Sequence, residues 1–173
     1  WMLFGAEFWE RFAYYGMRAI LAVYVATTFF GHLPEGEAIA QPALTYGGYT
    51  SLVYATAIFG GFIADRYLGY QRSILLGGFL MAVGLFMLLS TDMKIFLAGL
   101  AVIVAGNGLF KPNISTMIGK LYAPGDARRD SGFTIFYMGI NLGSTISQFF
   151  APLLAGWFGW WAGFGLAAAG MVI

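Results

Sequence analysis

The sequence contains no cysteine, which removes a disulfide scaffold and any thiolate metal site. Histidine is almost as scarce, with His32 the only one. A serine-type intramembrane hydrolase needs a histidine in the membrane, and His32 falls in a predicted loop. An aspartyl type needs paired aspartates inside apolar segments, and none are present. We therefore expect no enzyme, no metal and no cofactor. Charge is the third shortage. Only 10% of residues are Asp, Glu, Lys or Arg, against about 25% in a soluble domain. The net charge of +1 gives a nucleic acid nothing to hold, so none is expected as a partner.

Apolar residues fill the space that charge leaves. The chain is 60% hydrophobic and 18% aromatic, with 25 glycines, a balance suited to a lipid bilayer, where small residues let helices approach closely. A spanning helix takes about 20 apolar residues. Six such segments can be cut, near residues 2–30, 44–64, 73–90, 95–119, 131–155 and 157–173, separated by polar or turn-rich breaks such as GHLPEGEAIAQPA and KLYAPGDARRD. The expectation is an all-α membrane protein, a single six-transmembrane-helix bundle over residues 1–173. The very short third connection predicts an antiparallel hairpin of helices three and four. The apolar pattern is already running at Trp1 and still running at Ile173, so one bundle of a larger protein is expected.

Loop cations orient the bundle. The second and fourth connections hold Arg66, Arg72, Lys120, Arg128 and Arg129, whereas the others hold only Lys94. The cation-rich connections, and with them the amino terminus, are expected in the cytoplasm.

Five ionisable residues remain inside predicted helices: Glu7, Glu10, Arg11, Arg18 and Lys111. Each costs at least about 2.5 kcal/mol near a bilayer centre, so each needs a reason. At about 100° per residue, Glu7, Glu10, Arg11, Tyr14 and Arg18 share one arc of the first helix. Phe8, Trp9, Phe12, Gly16, Ala19, Ile20 and Val23 cover the rest. Glu7 and Arg11 form an i,i+4 pair in the favourable order. Mutual neutralisation explains that pair but leaves Arg18 without a nearby acid in sequence, which points to a polar cavity with an anionic visitor. In the stretch GNGLFKPNIS, Lys111 lies about 13 Å inside from Lys120 at 1.5 Å per residue, and Pro112 should kink or break the helix there. No strand precedes those glycines and the lysine spacing differs from a phosphate-binding loop. Asn141 needs a hydrogen-bond partner, either a neighbouring helix or a ligand. For Tyr14, Tyr15 and Tyr54, core packing and ligand contact are both open.

These stretches resemble a known family. EFWERFAYYG resembles the E-x-x-E-R-F-x-Y-Y motif of the proton-dependent oligopeptide transporters, a branch of the major facilitator superfamily. GLFKPNIS and FYMGINLGS resemble two further stretches of that family, and GGFIADRYLG the superfamily's loop motif, with one extra residue between Arg66 and Gly69. The four occur in the family's order over residues 7 to about 150. The resemblance implies the amino-terminal half of a twelve-helix carrier that moves di- and tripeptides with protons across the cytoplasmic membrane, in bacteria the inner one. It implies that Glu7, Glu10, Arg11 and Lys111 take part in proton coupling, with protons the only coupling ion. Arg18 would take the peptide's terminal carboxylate, and Tyr14, Tyr15, Tyr54, Lys111 and Asn141 would line the substrate cavity. Gly61, Asp65, Arg66 and Gly69 would belong to the gating motif. The implied partners are small peptides, the bilayer and a carboxy-terminal bundle of the same transporter. A carrier of another small anion, such as nitrate or an amino-acid derivative, uses the same cations. A six-helix channel has no need of a basic cluster opposed to two acids.

Overall fold

Each apolar segment forms a helix in the computed structural model, which describes residues 1–123 and 125–172, with every side chain among them except those of Glu35 and Ala38. The helices are α1 (Met2–Phe29), α2 (Glu35–Ile63), α3 (Tyr70–Met87), α4 (Met93–Lys120), α5 (Arg128–Phe158) and α6 (Trp160–Val172). A π-helical turn, Ala64–Leu68, joins α2 to α3, and no strand occurs among the described residues. Asp92 starts α4 by accepting from the amides of Lys94 and Ile95, at 2.8 and 3.1 Å, which satisfies two of the free donors at a helix start.

Several boundaries depart from the sequence expectation, with α3 spanning Tyr70–Met87 rather than 73–90 and α5 beginning at Arg128 rather than 131. Helix α2 begins at Glu35 rather than near 44. Its first turns, from Gly36 to Gln41, are exposed wherever they are described. They carry no apolar stripe, so periodicity alone left them in the loop. Apart from Gly36 the residues are nonetheless fair to good helix formers that follow Pro34, and Pro42 lies inside the helix. Helix α5 runs to Phe158 instead of 155, and Gly159, at φ 94°, makes the corner before α6 begins at Trp160 rather than 157. Helix α4 is continuous through Pro112, not broken there. Proline at 112 removes the hydrogen bond to the Gly108 carbonyl, and Gly60 of α2 packs directly on that carbonyl. A β-carbon at Gly60 would lie 1.8 Å from it.

Helices α3 and α4 form the expected hairpin. Gly77 opposes Gly106 and Gly84 opposes Gly99, so closely that an added β-carbon would fall within 3 Å of the facing carbonyl at each. Helix α1 occupies the centre. One face packs on α5, where Gly143 and Gly16 meet Phe8 and Ser147, and on α6, where Gly170 meets Trp9 and Phe12. The apolar side of α1 thus faces protein. Tyr24, Phe96, Trp160 and Phe164 form an aromatic core at one end, with ring centroids about Tyr24 at 5.0–5.8 Å. The outside is apolar as well: Phe59, Phe62, Phe79, Phe149, Trp157 and Trp161 are all exposed. Among the described residues, α2, α3 and α4 are long and apolar enough to cross a membrane by length and composition. Helices α1 and α5 match them in length, 28 and 31 residues, but carry polar faces.

Candidate coupling and binding site

The polar face of α1 turns into the bundle, and its charges are almost wholly removed from solvent. Glu7, Glu10 and Arg11 are 3%, 0% and 3% exposed. The guanidinium Nε of Arg11 lies 3.1 Å from Glu7 Oε1 and also donates to Glu10 Oε2. The predicted i,i+4 pair is therefore part of a trio in which one cation serves two acids. From α4, Asn107 donates through Nδ2 to Glu10 Oε1 at 3.0 Å. Arg11 also lies 5.5 Å from the centre of the Tyr14 ring and 5.9 Å from that of Tyr15, where a cation is attracted by the ring face. Unpaired, any of these charges would be very costly at such burial.

Lys111 stands one turn further along α4 and is half-buried. It is not the ion-pair partner of either glutamate of α1. Instead both acids are turned to Arg11, and the Lys111 ammonium faces the Tyr54 ring at 5.1 Å. Arg11 reaches its acids from the same helix, so it orders less chain than a lysine approaching from another helix. Lys111 makes no ion pair with a described residue.

Seven residues beyond Arg11, Arg18 builds a second centre. Its Nε donates to the Tyr46 hydroxyl at 3.0 Å, and its Nη2 donates to the same oxygen. Its guanidinium carbon lies 5.2, 5.6 and 6.0 Å from the ring centres of Tyr46, Tyr14 and Tyr15. Arg18 is half-buried and has no carboxylate partner among the described residues. A cation held this way keeps donors free for an incoming anion. Tyr54 is 60% exposed. Asn141 is exposed too, and its amide donates to the Tyr137 carbonyl of its own helix, at 2.8 Å, rather than across the bundle.

Two contributors went unnoticed in the sequence, although each had a signal. Tyr46 precedes Tyr54 by eight residues, hence on the same helix face. Asn107 precedes Lys111 by four, again on one face. Both are uncharged, and only the packing of α1 against α2 and α4 reveals their partners.

The loop motif lies at the end where Lys120 also sits. Asp65 accepts from the Tyr70 hydroxyl at 2.5 Å, and Lys120 rests over the Tyr70 ring at 3.9 Å. Neither Asp65 nor Arg66 forms an ion pair with a described residue. Tyr70 makes the link instead, one residue after Gly69, whose φ of 75° suits glycine. Gly61 faces Pro112, with 4.0 Å between an added β-carbon and the proline.

Known proteins resemble the chain over nearly its whole length. The family model described as the POT family matches residues 71–173. Peptide transporter YePEPT of Yersinia enterocolitica is 46% identical, over 99% of this chain and 34% of its own length. The di-/tripeptide transporter of Lactococcus lactis is also 46% identical, over 98% of this chain and 35% of its own. The crystal structure of a peptide transporter POT variant in complex with alafosfalin is 43% identical with a TM-score of 0.87, covering 98% of this chain and 35% of that one. The chain thus spans about a third of the length of the relatives it matches.

Proposed function

The chain belongs to the POT family, and on that premise we propose that it forms the amino-terminal bundle of a proton-coupled symporter of di- and tripeptides. A second bundle of the same transporter completes the cavity, and the two alternate as rigid bodies to expose it to each side. The transporter is a membrane protein. We place it in the bacterial inner membrane with the amino terminus in the cytoplasm, on the strength of the cations at 66, 72, 120, 128 and 129. A cysteine introduced at 127 should then label from the cytoplasm and one at 36 from outside; the reverse pattern overturns this orientation.

The observation that carries the reading is the pair of half-buried cations, Arg18 and Lys111, that have no acid partner among the described residues and stand beside a buried acid cluster. Arg18 is presented by Tyr46, Tyr14 and Tyr15 to a substrate carboxylate, and Lys111 by Tyr54. Asn141 adds an amide on the exposed face of α5. Glu7, Glu10 and Arg11 take and release the coupling proton. Adding one proton leaves Arg11 with a single carboxylate, and the change in field reaches Lys111. Gly61, Asp65, Arg66 and Gly69, with Tyr70 and Lys120, hold the cytoplasmic ends of α2, α3 and α4 during the exchange. No cofactor takes part, and protons are the only coupling ion.

The test is uptake by liposomes carrying the full-length transporter. An inward proton gradient should concentrate labelled di- and tripeptides, and an excess of unlabelled peptide should compete. Competition by nitrate or a single amino-acid derivative, with none by peptides, would assign the same cations to another anion. Leakage down a gradient without counterflow would make the protein a channel.

A further inference from the structure

Glu10 is the most buried charge among the described residues, and its two oxygens have different neighbours. Oε2 faces Arg11 Nε, a group that donates and never accepts. Oε1 faces the amide of Asn107, which carries both a donor and an acceptor. A proton arriving at Glu10 cannot sit on Oε2 without opposing a permanent donor. On Oε1 it opposes Asn107 Nδ2, but that opposition is relieved if the amide turns over and presents Oδ1. Asn107 is 1% exposed, and its Oδ1 has no hydrogen-bond partner among the described residues. A buried acceptor left free is uncommon, and here it belongs to the side chain whose other end already touches the acid.

We propose that Asn107 is a positioning residue that serves Glu10 in both protonation states. It donates from Nδ2 to the ionised carboxylate and, after a half-turn of the amide, accepts the O–H of the protonated acid at Oδ1. The balance is simple. One proton from the aqueous phase is added to Oε1, the N–H···Oε1 hydrogen bond is lost, and an O–H···Oδ1 hydrogen bond replaces it. The inference rests on the proton-coupled reading and goes beyond it by naming the group that reads the proton. Asn107 is also one turn from Lys111 on α4, so the amide and the lysine share one face of the same helix. The other charged or titratable groups acting on Glu10 are Glu7 and Arg11 of α1, Lys111 of α4 and Tyr49 of α2. None of them contacts Oε1 as the Asn107 amide does.

The test uses the full-length transporter with Asn107→Leu, close in size but without donor or acceptor, and Asn107→Thr, smaller but with a hydroxyl that both donates and accepts. Uphill peptide uptake should fall about ten- to a hundredfold in Asn107→Leu, the scale of one hydrogen bond to a charged group. Asn107→Thr should retain more. An asparagine that only fills space would give the opposite order, because leucine fills the site better than threonine does, and one that only donates to the ionised acid would leave the infrared band below unmoved. The second readout is the infrared carbonyl stretch of protonated Glu10, identified by its disappearance in Glu10→Gln. It should shift in Asn107→Leu, where the acid's O–H has lost its acceptor. An unshifted band, or uptake in Asn107→Leu at least equal to that in Asn107→Thr, overturns the proposal. If the wild-type protein concentrates no peptide, the transport reading fails instead, and the infrared shift still decides the role of Asn107.

Discussion

Arg11 stands 3.1 Å from Glu7, and Arg128 stands 2.9 Å from Asp126. By distance the two ion pairs are equivalent. The Arg11 side chain is 4% exposed, however, and that of Arg128 is 83% exposed. The first pair lies inside the bundle with a second acid, an asparagine and two tyrosine rings around it. The second caps a loop between α4 and α5. Attraction between charges grows as water is withdrawn, and so does the cost of leaving either one alone. The buried set is therefore a place where one added proton or one lost partner changes everything nearby. In the second pair Arg128 is open to solvent, although the Asp126 side chain is only 18% exposed, and the water around the guanidinium insulates the pair. A coupling device has to be built on the first kind.

The largest expected effect comes from breaking the buried set. Arg11→Leu leaves Glu7 and Glu10 inside the bundle without their cation, and removal of one partner of a buried pair costs about 3–5 kcal/mol. The full-length protein should lose thermal stability accordingly and lose uphill peptide uptake with it. An unfolding midpoint equal to that of wild type would mean that the acids find another partner, Lys111 being the nearest on α4. The contrast between the two regions would then be much weaker than the geometry implies.

Next in size is Arg18, a cation without an acid partner among the described residues. A guanidinium can hold a carboxylate through two parallel hydrogen bonds, whereas an ammonium acts as a point charge. Arg18→Lys should weaken uptake of free dipeptides about ten- to a hundredfold and uptake of carboxyl-amidated ones much less. Equal losses would make Arg18 a structural residue. Tyr46→Phe sharpens the same point at smaller scale. It keeps the ring at the guanidinium and removes the hydroxyl that receives both Nε and Nη2. The expected loss is about 0.5–1.5 kcal/mol, read as a severalfold rise in KM for peptide. An unchanged KM would show that the rings alone position Arg18.

The sequence made the helices legible because apolar segments of the right length have few other ways to satisfy their backbone in a membrane. It also made the charged face of α1 legible, since spacings of three, four and seven residues put Glu7, Glu10, Arg11, Tyr14 and Arg18 on one side. Whatever depended on contact between helices stayed hidden. Nothing in the sequence showed that packing sets Lys111 against the ring of Tyr54. Tyr46 and Asn107 carry no charge, so nothing local demanded a partner for them. The exposed start of α2 had no apolar stripe to betray it. Pro112 was read as a kink or a break, and the sequence cannot show that α4 runs on through it with Gly60 packed on the carbonyl it frees.

The smallest effect belongs to the exposed pair. Hydrogen bonds from the Arg128 side chain and backbone hold the Asp126 carboxyl below its ordinary value of 3.8. A depressed folded-state value means that the ionised form is favoured by folding. Its contribution is present above the ordinary aspartate range and disappears as the pH falls through the lowered value. Asp126→Asn should therefore cost the same small amount at about pH 5 as at about pH 8. Salt should reduce what little there is, because exposed charges are screened. Peptide uptake by the variant should match wild type under a proton gradient at both values. A thermal midpoint that differed strongly between the two pH values would place Asp126 in a buried network and remove the contrast with Arg11. A midpoint close to wild type at both leaves the buried trio as the pH-responsive member of the comparison, even though its Arg11–Glu7 distance is the longer of the two.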